Sequence, residues 1–163
     1  MLKFVRAAAL AGATLMAAHG AYAETVIKTV MHSPLRLTDP HATTAYITPW
    51  HGYMIYDTLL ATDADNKIQP QMLEKWEVSP DGKTYTMTLR DGQKWHDGKP
   101  VTSEDCVASI KRWAAGDGMG RTLMKFTDKI EVVDDKTFRI VMKEPTDLAL
   151  RALSKPTGTA PFM

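Results

Sequence analysis

The chain has one cysteine in 163 residues, Cys106, so no intramolecular disulfide can form whatever the redox compartment. It has no excess of either charge. Twenty basic residues stand against 19 acidic ones, which leaves no electrostatic footprint for nucleic acid or an anionic membrane. It has no apolar run of membrane-spanning length: the longest stretch of small and apolar residues, Ala7 to Ala18, holds 12 against the roughly 20 a helical span requires. Gly-x-Gly-x-x-Gly, Walker-type and Gly-x-Ser-x-Gly motifs are all missing. "AGDGMG" follows a helical stretch, whereas a dinucleotide-binding loop would precede one. His32, His41 and His51 stand nine and ten residues apart with no His-x-x-x-His pair and no cysteine partner, so no metal-ligand set emerges. No internal repeat or low-complexity segment occurs, and no metal or cofactor is expected.

What is present begins with an export signal. Lys3 and Arg6 form a positive start, the apolar run comes next, and Ala21-Tyr22-Ala23 supplies the small-x-small pattern of a signal peptidase site. Residues 1–23 are expected to be removed after Ala23. The mature chain then carries 18 basic and 19 acidic residues, net −1, over 140 residues, enough for one domain with a real core.

Along the mature chain, "TVIKTVMH" (25–32) alternates as a strand does. "SPLRLTDPHATT" is a loop with two prolines that bar ladder pairing. From Thr48 to about Leu60 the pattern turns helical, with Pro49 in the first turn. Residues 68–76 hold a proline and a short helical or irregular stretch. Pro80-Asp81-Gly82 separates two strand-like runs, a hairpin signal, and in the second run Tyr85, Met87 and Leu89 alternate with three threonines. A second hairpin is expected around Asp134-Asp135-Lys136. Between the hairpins lie a helix from Ser103 to about Ala114 and a glycine-rich loop. The fold class is mixed α and β rather than a parallel βαβ array.

"QKWHDGKPVTSEDCV" (93–107) gathers a histidine, three acids, two hydroxyls and the cysteine, and invites a catalytic reading. Its spacing fits a simpler one. Asp97-Gly98 and Pro100 end a strand, and Thr102 and Asp105 form a capping box ahead of a helix whose Val107, Ile110 and Trp113 make a buried stripe. A nucleophilic thiol needs a base and a reason to ionise, and the acids beside Cys106 oppose that, so no catalytic residue is assigned. The competing reading is a secreted thiol or metal enzyme built on Cys106 and the histidines.

The motif series "LTDPH", "YDTLL" and "PQMLEKWEVSPDGKTYTMTLRDGQKWHDGKPVTSEDCVASIKRW" resembles the N-terminal part of the family 5 extracellular solute-binding proteins, receptors of ABC importers. Asp57 and Cys106 are small departures from that pattern. The resemblance implies an incomplete N-terminal part of a two-lobed, type II periplasmic-binding-protein fold. It places a first strand region of lobe I at 24–52 and a family-specific α/β subdomain at 53–163. The chain would then be an exported, monomeric periplasmic protein that performs no chemistry and hands a solute, foremost short peptides, to an inner-membrane ABC permease. A nickel chelate, haem, opine or sugar is the alternative cargo. The apolar stop "APFM" within loop sequence suits a chain that continues in its relatives. By position the resemblance gives Thr44, Ala45 and Tyr46 to the ligand, pairing with a peptide backbone as an added strand, against the reading that they only lead into a helix. Trp50 and Tyr53 are expected to pack in the core.

Overall fold

The computed structural model describes residues 26–156 and 158–163; the expected export signal over 1–23 and the cleavage expected after Ala23 lie outside the described residues. The chain divides into two units between Met31 and His32. Of the first, residues 26–31 carry no helix or strand, so the strand expected over 25–32 is not formed in its described part. Alternation gives a segment two faces, but a strand exists only through a ladder, and no described strand pairs with this one.

The second unit opens with an irregular chain past Pro34 and Pro40 and then enters helix α1, Ile47–Ile55. The helix stops short of Leu60 because the next residues are claimed by tertiary pairing. The Leu59 carbonyl accepts from the amides of Gln71 (3.1 Å) and Leu73 (3.3 Å), and both Leu59 and Leu60 are buried. Strands β1 (Leu60–Thr62) and β2 (Ile68–Pro70) form a two-stranded ribbon. Its turn is closed by the Asp63 carboxylate, which accepts from the amides of Asp65 and Lys67 at 2.9 Å each. The irregular stretch expected over 68–76 is therefore strand in most of its length.

The main sheet has four antiparallel strands in the order β3-β4-β6-β5: Leu73–Val78, Thr84–Leu89, Thr137–Met142 and Thr127–Val132. Both expected hairpins are there. Gly82 takes φ +69° in the first turn, a conformation that costs glycine little. Tyr85, Met87 and Leu89 with Phe138, Ile140 and Met142 make the buried face. The opposite face carries the threonines of β4, and one register row across it reads Glu77, Thr86, Arg139, Glu131, so unlike charges flank each other. The edge strands carry Lys75–Glu77 (3.3 Å) and Lys129–Glu131 (2.7 Å) ion pairs, charge that discourages edge-to-edge association.

Helices α2 (Ser103–Gly116) and α3 (Gly118–Phe126) pack on the buried face. The glycine-rich segment expected as a loop is helical on both sides of Asp117, its first two residues ending α2 and its last three opening α3. Asp117 is the reason: its carboxylate caps α3, accepting from the amides of Met119 (2.8 Å) and Gly120 (3.1 Å), and takes the Lys155 ammonium at 2.7 Å. Gly120 then serves as a contact rather than a breaker. A Cβ there would stand 2.5 Å from Ala114 Cα, so the two helices touch backbone to backbone. A short helix, α4 (Leu148–Leu153), completes the core before the chain returns to α1. There Phe162 is buried, forms an antiparallel bridge with Thr58, and lays its ring 3.2 Å from where a Cβ on Gly52 would stand.

Candidate functional site

The stretch 93–107 resolves as cap and turn. Thr102 accepts from the Asp105 amide (3.3 Å), the Asp105 carboxylate accepts from the Thr102 amide (2.9 Å), and Trp95 Nε1 reaches the same carboxylate at 3.3 Å. Burial pushes the Asp105 carboxyl up, but the Thr102 and Trp95 donors outweigh it and the net displacement is downward. Cys106 is fully buried, and burial pushes its thiol up to about 12, with Asp105 adding to the effect. A thiol so placed is a small hydrophobe, as its position on the helix stripe implies. Val107, Ile110 and Trp113 are buried, and Trp113 Nε1 donates to the Thr159 carbonyl at 2.9 Å.

The other candidate region is the Asp39-Pro40-His41 loop together with residues 42–53. Asp39 accepts from the His41 amide at 3.0 Å, which tightens the loop, and its two carboxylate oxygens take the Arg112 guanidinium as a two-pronged pair. That pair fastens the loop to α2. The Arg112 guanidinium holds the Asp39 carboxyl below its ordinary value of 3.8, against a smaller opposing effect of burial. Burial, with Arg112 close by, holds the His41 imidazole below its ordinary 6.5. Nothing local in the sequence marks Arg112 for this role; it lies 73 residues from its partner.

Beyond this anchor the structure brings Thr44, Ala45 and Tyr46 together as an exposed segment leading into α1. The Ala45 amide donates to Thr43 Oγ1 (3.2 Å) and its carbonyl accepts from Thr48 (2.9 Å). Among the described residues, the Thr44 amide and carbonyl have no partner, while the Tyr46 carbonyl accepts from the Trp50 amide at 3.2 Å. Trp50 and Tyr53 depart from expectation. They are 53% and 47% exposed, because α1 buries the face formed by Ile47, Thr48, Pro49 and Gly52 and turns the aromatics outward. Trp50 meets the His32 ring edge-on at 4.8 Å and lies tilted to the Tyr46 ring at 6.5 Å. A cavity of about 310 Å³ has a lining that includes Ser33, Arg36, Leu37, Ala45, Ile47 and Thr48. Arg36 on this lining is unmarked by spacing or motif; its local signal is no more than a lone cation between Leu35 and Leu37.

The described chain thus combines a four-stranded sheet backed by helices with a loop that Asp39 and Arg112 pin to α2. Residues 67–162 match the family model for bacterial extracellular solute-binding proteins, family 5 Middle, and the chain belongs to that family. A probable peptide ABC transporter periplasmic-binding protein of Sinorhizobium fredii is 47% identical over 138 residues, 85% of this chain and 26% of that protein. Among solved structures, OppA of Haemophilus influenzae in complex with RPPGFSPFR has a TM-score of 0.61 and 28% identity over 71% of this chain and 26% of its own. AgaA from A. tumefaciens R10, in complex with agropinic acid, has a TM-score of 0.63 and 31% identity over 73% and 24%. The fold is thus part of the type II periplasmic-binding-protein architecture, and the chain spans about a quarter of the length of these relatives.

Proposed function

We propose that this chain is part of a periplasmic receptor that captures short peptides and delivers them to an inner-membrane ABC importer, without chemistry of its own. One observation carries the choice of peptide: the 47% identity, over 85% of the chain, to a relative named as a peptide-binding component. In this reading residues 1–23 direct export and are removed after Ala23, residues 24–52 belong to the first lobe, and residues 53–163 form the attached α/β subdomain. The receptor acts as a monomer. Thr44, Ala45 and Tyr46 pair with the peptide backbone, a mode that gives affinity through main-chain hydrogen bonds and leaves side-chain choice to flanking pockets. The open Thr44 amide and carbonyl support that role.

Calorimetry of the full-length protein with di- to pentapeptides tests the proposal, and micromolar binding is the expected result. Failure with every peptide would favour the second reading, a non-peptide solute, for which the likeness to the agropinic-acid receptor speaks.

A further inference from the structure

We propose that Arg112 is a positioning residue for peptide capture, and that protonation of His41 undoes its hold on the loop and lowers affinity in acid. This rests on the peptide reading above, with Thr44 to Tyr46 on the ligand, and adds a regulation to it. Three observations converge on it.

The first is the hydrogen bonding of the clamp. Arg112 Nη1 lies 3.4 Å from His41 Nδ1 and 3.1 Å from an Asp39 carboxylate oxygen. A guanidinium only donates, so Nδ1 accepts and the imidazole is neutral, with its proton on Nε2. Protonation turns Nδ1 into a second donor and sets an imidazolium against a guanidinium.

The second is that no carboxylate nearby is free to offset that charge. Asp39, in the same loop, already gives both oxygens to Arg112 and one of them to the His41 amide. Asp117, where α2 ends, is held by Lys155 and by the two amides it caps. A cavity of about 170 Å³ lies against the clamp, shared by His41, Arg112, Phe162 and Tyr56, which follows α1, and Asp39 is the one acidic side chain on its lining. Asp39, Asp117 and the Ala160 carbonyl favour the charged ring, but burial and Arg112 outweigh them. The pinned loop therefore binds the proton less readily than a released one, and acid favours release from about pH 6.5 downward.

The third is continuity with the ligand segment. The His41 carbonyl lies 3.6 Å from where a Cβ on Gly116 would stand, so the loop rests on the last turn of α2. Only three peptide steps separate His41 from Thr44, at most about 11 Å of extended chain. A loop that lifts off α2 carries Thr44 with it. Affinity then falls, because binding must bear the cost of fixing the segment again.

The test uses the full-length protein at pH 7.5 and pH 5.0, as wild type, His41→Asn and Arg112→Gln, with calorimetry against Ala-Ala-Ala. Wild-type affinity should be at least about fivefold weaker at pH 5.0, the lower end of coupling between two sites. His41→Asn keeps an acceptor facing Arg112 that cannot titrate, and its affinity should be the same at both pH values. Arg112→Gln should bind weakly at both, with the pH dependence gone. Hydrogen exchange at the amides of residues 41 and 42, which donate to Asp39, follows the loop without any ligand. With the intrinsic effect of pH divided out, it should quicken at pH 5.0 in the wild type while the amides of β4 stay protected. An equal acid loss of affinity in wild type and His41→Asn would overturn the inference, as would loop exchange that is the same at both pH values. Absence of binding by any di- to pentapeptide would instead remove the peptide reading, and exchange would still decide whether protonation releases the loop.

Discussion

Asp39 and His41 are two residues apart and act on each other, yet the largest influence on Asp39 is Arg112 and the largest on His41 is burial. The Asp39 carboxyl is held below 3.8 by Arg112, so its contribution to stability is complete above that value and is lost as pH falls through the lowered one. The His41 imidazole is held below 6.5 by burial and by Arg112, so the unfolded chain binds its proton first. Stability therefore declines as pH drops below 6.5 and continues to decline until the folded imidazole titrates too. Both effects have the same sign. The urea midpoint should be lower at pH 5 than at pH 7.5, and His41→Gln should flatten that part of the profile; an unchanged slope would show that His41 is not responsible. Thr102 is a simpler case. Removing its hydroxyl leaves α2 without its cap, and Thr102→Ala should cost about 0.5–2 kcal/mol in chemical denaturation while leaving peptide affinity of the full-length protein unaltered.

At the scale of elements, the hairpins and the α2 cap are legible in the sequence because their information is local. Pro80-Asp81-Gly82, Asp134-Asp135-Lys136 and the Thr102–Asp105 spacing each act within a few residues. Elements whose limits depend on distant partners are not legible in this way. Helix α1 ends where Leu59 enters a ladder with Gln71 and Leu73, and "DGMG" becomes the start of α3 because Asp117 is both cap and ion-pair partner. Local propensity marks glycine there as a breaker, although its missing side chain is what lets two helices meet. Gly120→Ala should accordingly destabilise by about 1–3 kcal/mol, since the obstruction is Ala114 backbone, which has little freedom to yield. Gly118→Ala is the matched control. Its nearest neighbour is the end of the Arg121 side chain at 3.8 Å, and its urea midpoint should stay within a small fraction of the Gly120→Ala change.

For the whole molecule, the contacts that join early and late parts of the chain matter most and are least visible in the sequence. The segment Thr44 to Tyr46 can be singled out by resemblance, but the Arg112 anchor and the outward turn of Trp50 depend on where α1 and α2 come to lie. Phe162 is the plainest example. It is 2% exposed, meets the Tyr53 ring edge-on at 4.8 Å, and is followed by Met163, whose amide donates to the Asp57 carbonyl at 2.8 Å. Phe162→Ala should cost about 3–5 kcal/mol, read from denaturation midpoints, and should increase cleavage of α1 in limited proteolysis. Intact α1 with unchanged stability would mean that the helix is held by other contacts. The same arrangement has a consequence for how the protein is made. Gly52 leaves the ribosome about 110 residues before Phe162, an interval of roughly 5–20 s at ordinary elongation rates. Throughout that time Gly52 lacks its Phe162 neighbour, and the inner face of α1 has only the preceding loop, with Leu37 and Pro40, to lie against. In the order of manufacture α1 is the first described helix to emerge, and the Phe162 ring that packs on Gly52 follows about 110 residues later.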